Sequence, residues 1–167
     1  ISIRYGLRGA SYATTSACAS STHAMIDAFN YIRLGKAKMY VTGGSEATIN
    51  ESGVGGFNAM KAMSENNEEY ISASRPFDAT RDGFVIGEGG AGLILEELEH
   101  AKARGAKIYC EVVGGGMTAD AHHLTAPHPE GLGARNVMIN ALKDANLKPE
   151  DIDYINVHGT STPLGAL

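Results

Sequence analysis

The chain has few cysteines, no tryptophan and no long apolar run. Its 167 residues include two cysteines, Cys18 and Cys110, which are too few for a disulfide framework and too widely separated for a metal knuckle. No apolar stretch approaches the roughly 20 residues of a membrane-spanning helix, and the first residues lack the basic start and apolar core of a signal peptide. We therefore expect a cytoplasmic protein without membrane association.

Positive charge is also scarce. Fourteen Lys and Arg residues stand against 19 Asp and Glu, a net charge of −5, and no run of Lys or Arg is longer than two residues. This distribution argues against a nucleic-acid partner. Hydrophobic residues make up 43% of the chain and charged residues 20%, which is typical of a folded globular protein.

Apolar periodicity and glycine punctuation predict helices that alternate with short strands. Predicted helices cover residues 18–34, 57–63, 97–104 and 131–145, and predicted strands cover residues 38–42, 84–86, 92–96, 107–113 and 153–157, with a further apparent strand at the amino terminus. The small residues of the first helix suggest that it is buried. This alternation indicates a layered α/β fold.

Cys18 stands among small and hydroxyl residues where the first helix begins. The unpaired N–H groups and the macrodipole at the amino end of a helix favour a thiolate, and they could also hold an oxyanion that develops on a thioester. A small buried side chain remains the alternative on position alone. Cys110, in the middle of a predicted strand, is interpreted as structural.

His158 follows a predicted strand and opens the stretch His158–Pro163. Ligand sites in open α/β sheets gather at the carboxyl ends of strands. An imidazole there could donate a hydrogen bond to a substrate carbonyl, and the hydroxyls of Thr160 and Thr162 could bind amide groups. A turn with a solvated histidine is the alternative.

Two further stretches suggest ligands but fit them poorly. Asp120, His122, His123 and His128 are zinc-type residues, yet adjacent histidines in a proline-bearing loop lack the spacing of a metal site, so we predict no metal and favour a loop that lines or gates a substrate. Residues 87–92 match the G-x-G-x-x-G pattern, but a strand follows where a nucleotide site needs a helix.

Five motifs, in order along nearly the whole chain, resemble those of the β-ketoacyl-acyl-carrier-protein synthases, a family that includes bacterial chain-elongating enzymes. They are Thr15–Ser21 (TSACASS), Val41–Glu46 (VTGGSE), Ser74–Asp78 (SRPFD), Arg81–Gly89 (RDGFVIGEG) and Val157–Pro163 (VHGTSTP).

The resemblance implies a thiolase-like fold with layered α-β-α-β-α halves. Residues 1–105 would be the later part of the N-terminal half, and residues 106–167 the start of the C-terminal half, so that the fold is incomplete at both ends. Cys18 would accept an acyl group from acyl carrier protein. His158 would be one of two histidines that hold the malonyl thioester and stabilise the enolate formed on decarboxylation.

By the same resemblance, Thr160 and Thr162 contact the pantetheine arm, Thr125 lies along its channel, and Phe57 lies near the acyl pocket. The resemblance also implies that the substrates travel on the phosphopantetheine arm of acyl carrier protein, that no cofactor is needed, and that the protein forms a homodimer. The second histidine, an active-site lysine and a glycine-rich oxyanion loop have no counterpart among these residues, and Gly165-Ala166-Leu167 replaces a usual Gly-Asp. We therefore expect the chain alone to be an inactive portion of a synthase.

Three other functions remain open. A polyketide-type ketosynthase shares both the cysteine and the histidine motif. A non-catalytic module could keep the fold without the chemistry. A thiolase proper fits less well, because its second half uses a cysteine that has no counterpart near the end of this chain.

Overall fold

The computed structural model describes residues 1–163, and within them it contains five α-helices, two β-strands and three short 3-10 turns. The α-helices are α1 (Ser2–Tyr5), α2 (Ser20–Arg33), α3 (Glu51–Ala59), α4 (Leu98–Ala103) and α5 (Leu132–Ala145); the strands are β1 (Met39–Glu46) and β2 (Gly89–Glu96); the 3-10 turns are Ala17–Ala19, Tyr70–Ser72 and Pro149–Asp151. No helix in this described part is both long and apolar enough to cross a bilayer.

Contacts between α-carbons divide the chain into two compact units. The first unit comprises Ile1–Ser45 and Gly90–Pro149, and it contains α2, α4, α5 and nearly all of both strands. The second comprises Glu46–Gly89 and the residues from Glu150 onward, and it contains α3 and the stretch around His158. The predicted division at residue 105 stays a prediction, and residues 164–167 at the end of its second part lie outside the described residues.

The two strands form a sheet in which they run antiparallel. At one end the N–H of Glu97 donates to the carbonyl oxygen of Lys38 over 2.9 Å, and toward the other end Gly90 lies opposite Ser45. Both strands confirm sequence predictions. β1 continues beyond the predicted end through Gly43 and Gly44, because glycines in mid-strand let neighbouring backbone approach closely.

Helix α2 packs through its small residues, as its composition predicts. A β-carbon added at Gly44 of β1 would lie 2.6 Å from the β-carbon of Ser21, so the helix and the strand touch where both side chains are small or missing. Helix α2 ends at Arg33, and Gly35 just beyond it has a φ of 68°, which suits a left-handed cap. The expectation of a buried helix is wrong for most of its length, because only Ala28, at 2% exposure, is fully buried.

A glycine triplet, Gly114–Gly116, runs as bare backbone between α2 and α5. Added β-carbons at its first and third positions would press on α5, and one at the second position would lie 2.9 Å from Ile26 of α2. The carboxylate of Asp144 in α5 ties the layers together. It accepts from the N–H of Gly115 over 2.9 Å and pairs with the guanidinium of Arg33 over 2.6 Å.

Several predicted strands are wrong. Within residues 1–163, the segments 107–113 and 153–157 have no strand pairing, and the segment 84–86 forms a single bridge between Phe84 and Met63. The amino terminus is the short helix α1 rather than a strand. Alternating apolar residues favour extended backbone, but a strand also needs a hydrogen-bonded neighbour. Cys110 is accordingly exposed rather than held in mid-strand.

An ion-pair cluster joins the end of β2 to α4. The carboxylate of Glu96, with a side chain only 7% exposed, binds the Arg104 guanidinium through hydrogen bonds of 2.8 and 2.6 Å and also contacts Nδ1 of His100. The hydrogen bonds from Arg104 are the main cause that lowers the pKa of the Glu96 carboxyl from 4.5 to about 2. Glu97 caps α4 by accepting from the N–H groups of Glu99 and His100.

We predict that Glu96→Gln removes part of the protein's acid sensitivity. The folded carboxyl has a pKa near 2 and the unfolded one near 4.5, so the unfolded chain binds the proton first as pH falls, and this contribution to stability is lost between pH 4.5 and 2. The variant should be less stable than wild type at neutral pH, and the difference should shrink through that window. Denaturant unfolding at several pH values measures it.

The matched control for this experiment is Glu99→Gln. The Glu99 side chain is 75% exposed and pairs with Lys102 at the surface, where ion pairs contribute little. Its stability curve should run parallel to that of wild type. A Glu96→Gln curve equally parallel to wild type would contradict the role of the cluster.

We predict that Gly116→Ala destabilises the first unit. The new β-carbon would lie 2.5 Å from the carbonyl oxygen of Val137 and 3.0 Å from the backbone nitrogen of Ala141, so α5 must shift, at a cost of about 1–3 kcal/mol. Gly87→Ala is the control, because nothing lies within 4 Å of its added β-carbon. Thermal unfolding should show a lower midpoint for Gly116→Ala alone.

Candidate active site

Cys18 lies in a tight turn directly before α2. The turn Ala17–Ala19 is a 3-10 helix, and the α-helix begins at Ser20, two residues later than predicted. The thiol is free and exposed. It therefore lies at the amino end of a 14-residue helix, where backbone N–H groups and the helix dipole favour negative charge.

Side-chain hydrogen bonds hold the turn around Cys18. Ala17 has a φ of 49°, a left-handed conformation that is unfavourable for alanine. The Ser20 hydroxyl donates to the carbonyl oxygen of Ala17 over 2.7 Å and accepts from the N–H of Ser16 over 2.9 Å. The Ser16 hydroxyl lies 2.7 Å from Nδ1 of His23. This network opposes relaxation of the strained residue next to the thiol.

Sequence reasoning missed this network. The residue pattern predicts only close helix packing for Ser20, and it predicts no role for Ser16 or His23. A hydroxyl residue immediately before a helix is a known capping signal, but here the hydroxyl that closes the turn belongs to the first residue of the helix itself. The sequence contains no signal for the left-handed conformation of Ala17, which is neither glycine nor asparagine.

The second group of candidate residues follows residue 157 in the second unit. The imidazole of His158 is exposed, and the hydroxyls of Thr160 and Thr162 lie 2.7 Å apart. Ser161 between them has a φ of 65° and is 2% exposed. Its hydroxyl is buried without a hydrogen-bond partner among the described residues. Three of the predicted residues thus lie in this stretch, and the structure joins two of them, Thr160 and Thr162, through their hydroxyls.

The two remaining candidates lie apart from these groups in the chain. The ring of Phe57 in α3 is half-buried and meets the ring of Phe84 edge to face, with 5.2 Å between centroids. Thr125 is exposed, and its N–H donates to Nδ1 of His123 over 3.2 Å. Cys18 and Thr125 belong to the first unit, whereas Phe57 belongs with His158 to the second.

Residues 120–128 contain side chains of the types that bind zinc, but these side chains contact one another and the backbone of the same loop. Nδ1 of His123 accepts from two backbone N–H groups, the Asp120 carboxylate accepts from the N–H of His128 over 2.9 Å, and the rings of His122 and His128 lie 5.0 Å apart. Among residues 1–163, no three His, Cys, Asp or Glu side chains are grouped so that they could hold a metal ion.

Arg81 was also missed as part of this region. Its guanidinium reaches three backbone carbonyls, two of which belong to the stretch that follows His158. A signal was present, since Arg81 opens one of the five motifs. Nothing in the residue pattern, however, connects it with residues 81 and 82 positions later in the chain.

Two family models match the chain in order. The model described as "Beta-ketoacyl synthase, N-terminal domain" matches residues 1–101, and the one described as "Beta-ketoacyl synthase, C-terminal domain" matches residues 109–166. Together they cover most of the chain.

Similar proteins agree with these matches. The 3-oxoacyl-[acyl-carrier-protein] synthase 2 of Synechocystis is 53% identical over 96% of this chain and 39% of its own length, and that of Staphylococcus aureus is 48% identical over 100% and 40–41% respectively. The chain thus spans about two fifths of the length of these relatives.

Solved structures have a similar backbone fold. A β-ketoacyl synthase from Burkholderia phymatum aligns with a TM-score of 0.93 at 44% identity, over 99% of this chain and 40% of that one. The AntDE:AntF complex, in which a type II PKS acyl-carrier protein is bound to its ketosynthase, aligns with a TM-score of 0.96 at 37% identity, over 99% and 41%.

These matches confirm the α/β, thiolase-like fold that the motifs imply. The two family models also cover all five motifs, from the Cys18 turn to the stretch that follows residue 157. The chain therefore belongs to the beta-ketoacyl synthase family.

Proposed function

We propose that the full-length protein is a 3-oxoacyl-[acyl-carrier-protein] synthase, an acyltransferase of fatty acid chain elongation. The observation that carries the proposal is the free, exposed Cys18 thiol at the amino end of α2, held in a strained turn. The names of the Synechocystis and Staphylococcus aureus relatives support the same activity.

The first step transfers an acyl group to Cys18. The Cys18 thiolate attacks the carbonyl carbon of an acyl thioester carried on acyl carrier protein. A new carbon–sulfur bond forms to Cys18, the bond from the carbonyl carbon to the carrier's sulfur breaks, and the carrier leaves as a thiol with the proton that the Cys18 thiol released. The N–H groups of Ala19 and Ser20 already donate to the carbonyl oxygens of Ser16 and Ala17, so the dipole of α2 is the feature that would stabilise the oxyanion of the tetrahedral intermediate. The helix thus favours both the thiolate and the transition state.

The second step forms a carbon–carbon bond. Malonyl carrier protein loses CO₂, and the electron pair of the broken bond remains as an enolate whose oxygen accepts a hydrogen bond from His158. The enolate carbon attacks the acyl group on Cys18, and the thiolate leaves. Hydrogen bonds aimed at developing charge are large contributors to catalysis.

Four residues complete the proposed site. Thr160 and Thr162, with hydroxyls 2.7 Å apart, would contact the pantetheine arm, Thr125 would lie along its channel, and the half-buried ring of Phe57 would line the acyl pocket. No dissociable cofactor enters this chemistry, because the phosphopantetheine arm carries both substrates.

The proposed macromolecular partners are acyl carrier protein and a second copy of the protein. The AntDE:AntF structure, a ketosynthase with its acyl-carrier protein, supports the first. Homodimerisation and a cytoplasmic location rest on the family resemblance and the sequence, and both remain predictions.

A polyketide-type ketosynthase is the second candidate, because the AntDE:AntF ketosynthase aligns over 99% of this chain. Its identity of 37% is lower than the 48–53% of the relatives named for 3-oxoacyl-[acyl-carrier-protein] synthase. Product analysis distinguishes the two, since a polyketide enzyme extends a chain that keeps its β-ketone groups.

We predict that acyl carrier protein loaded with a fatty acyl group acylates Cys18 and leaves Cys110 unmodified. Both thiols are free and exposed, but only Cys18 lies at the amino end of a helix. Intact-mass analysis with peptide mapping should find one adduct in the full-length wild type and in Cys110→Ala. Cys18→Ala should lack the adduct and lose condensation by at least about 10³-fold. An adduct confined to Cys110 would sink the assignment.

We predict that His158→Ala separates the two steps. Removal of one hydrogen-bond donor to a developing oxyanion typically costs about 10²–10³-fold in rate, so CO₂ release from malonyl carrier protein should fall by that factor. Acylation of Cys18 should stay within a few-fold of wild type. Equal loss of both steps would point to a structural role, and wild-type decarboxylation in the variant would refute the assignment of His158.

A further inference from the structure

The loop that follows His158, here called the histidine loop and defined as residues 158–163, is fixed from one side by a single guanidinium. Nε of Arg81 donates to the carbonyl oxygen of Thr162 over 3.1 Å, and Nη2 donates to that of Pro163 over 2.8 Å. Nη1 donates to the carbonyl oxygen of Asp78 over 3.0 Å. The planar guanidinium of Arg81 thus joins the histidine loop to the backbone of Asp78.

The backbone next to Arg81 is held in place by close packing and by hydrogen bonds. Gly83 is buried, and a β-carbon added to it would lie 2.5–2.7 Å from the backbone of residues 62–64. Phe84 exchanges backbone hydrogen bonds of 3.0 Å with Ala62 and Ser64. The N–H of Gly83 also donates to the carbonyl oxygen of Ser161 over 3.0 Å. Arg81 therefore extends to the histidine loop from backbone that has little freedom to move.

The histidine loop needs such support because its own conformation is unfavourable. Ser161 has a φ of 65° and a buried hydroxyl without a hydrogen-bond partner in the described part of the chain. Phe77, whose φ is 67°, places its ring against Gly159, with 3.3 Å from an added β-carbon to the ring. Strained backbone of this kind persists only where the surroundings hold it, and it concentrates at functional sites.

We propose that Arg81 is a positioning residue for the decarboxylation step: by holding the carbonyls of Thr162 and Pro163, it sets the orientation of the loop that carries His158, Thr160 and Thr162. This inference rests on the function proposed above. Arg81 reaches backbone only and belongs to the second unit, whereas Cys18 has its own hydrogen-bond network in the first. Its loss should therefore affect the chemistry of His158 and spare that of Cys18.

The test compares the two half-reactions in the full-length protein. Acylation of Cys18 is followed by intact mass, and decarboxylation by CO₂ release from malonyl carrier protein. In Arg81→Ala the maximal rate of decarboxylation should fall by roughly 10²-fold, the effect of misplacing a reacting group by about 1 Å, while the maximal rate of acylation changes less than about threefold. The KM of both carrier thioesters should rise equally, because the two threonines handle the arm in both steps.

Arg75→Ala is the matched control. Arg75 lies in the same segment and makes hydrogen bonds of the same kind, to the carbonyl oxygens of Thr80 and Ser72 and to the Asp82 carboxylate. Its removal costs the segment an arginine without touching the two carbonyls of the histidine loop that Arg81 holds. Both half-reactions should stay close to wild type in this variant.

Arg81→Lys covers the case in which Arg81→Ala fails to fold. A lysine ammonium is a point charge without the planar fork, so it can replace part of the contact, and decarboxylation should fall by an intermediate factor. In a folded Arg81→Ala, guanidinium ion at a concentration well below that which unfolds the protein should restore part of the lost decarboxylation and should not affect Arg75→Ala.

The outcomes separate this inference from the proposed function. A wild-type protein that neither acylates Cys18 nor decarboxylates malonyl carrier protein overturns both. If the wild type is active and Arg81→Lys or Arg81→Ala decarboxylates malonyl carrier protein at the wild-type rate, the positioning role alone is overturned. Equal falls in the maximal rates of both half-reactions overturn it as well, because they would indicate a general structural effect.

Discussion

The position of Cys18 depends on how closely α2 packs against the backbone of glycine residues. Ser21 touches Gly44 of β1 near the start of the helix, Ile26 touches Gly115 along its middle, and Arg33 pairs with Asp144 near its end. The first two contacts are as close as a glycine allows, and the third is an ion pair between side chains. Because the helix is held along its whole length, its amino end, and with it the thiol, has a defined place in the first unit.

The same principle operates in the second unit with different residues. Gly83 packs directly against the backbone of residues 62–64 because it has no side chain. Arg81, two residues earlier, connects this region to the histidine loop through hydrogen bonds. Left-handed conformations occur in both units next to candidate catalytic residues, at Ala17 beside Cys18 and at Ser161 near His158. Such conformations cost free energy locally, and here each is held by hydrogen bonds from side chains or backbone nearby.

The charged clusters serve the scaffold. Glu96 joins the sheet to α4 through Arg104 and His100, and Asp144 joins two helices to the glycine triplet. In each case a carboxylate accepts hydrogen bonds from more than one partner, which is why its pKa is lowered. All of these groups belong to the first unit, so they stabilise the part of the chain that holds Cys18.

The sequence by itself determined the elements whose signals are local. The apolar spacing of α2 and α5, the stop at Gly35, the Cys18 position before a helix and the five family motifs are all readable from neighbouring residues, and the structure and the family matches confirm the helices and the fold. Only the tertiary structure decided the rest. Residues 107–113 and 153–157 have the pattern of strands, but pairing depends on a neighbour that the pattern does not contain. The strain at Ala17 is held by side-chain hydrogen bonds whose geometry the residue pattern does not show. The contact of Gly83 with Ser161 and the reach of Arg81 to residues 81 and 82 positions away follow from the meeting of distant segments, and one-dimensional spacing carries no record of such contacts.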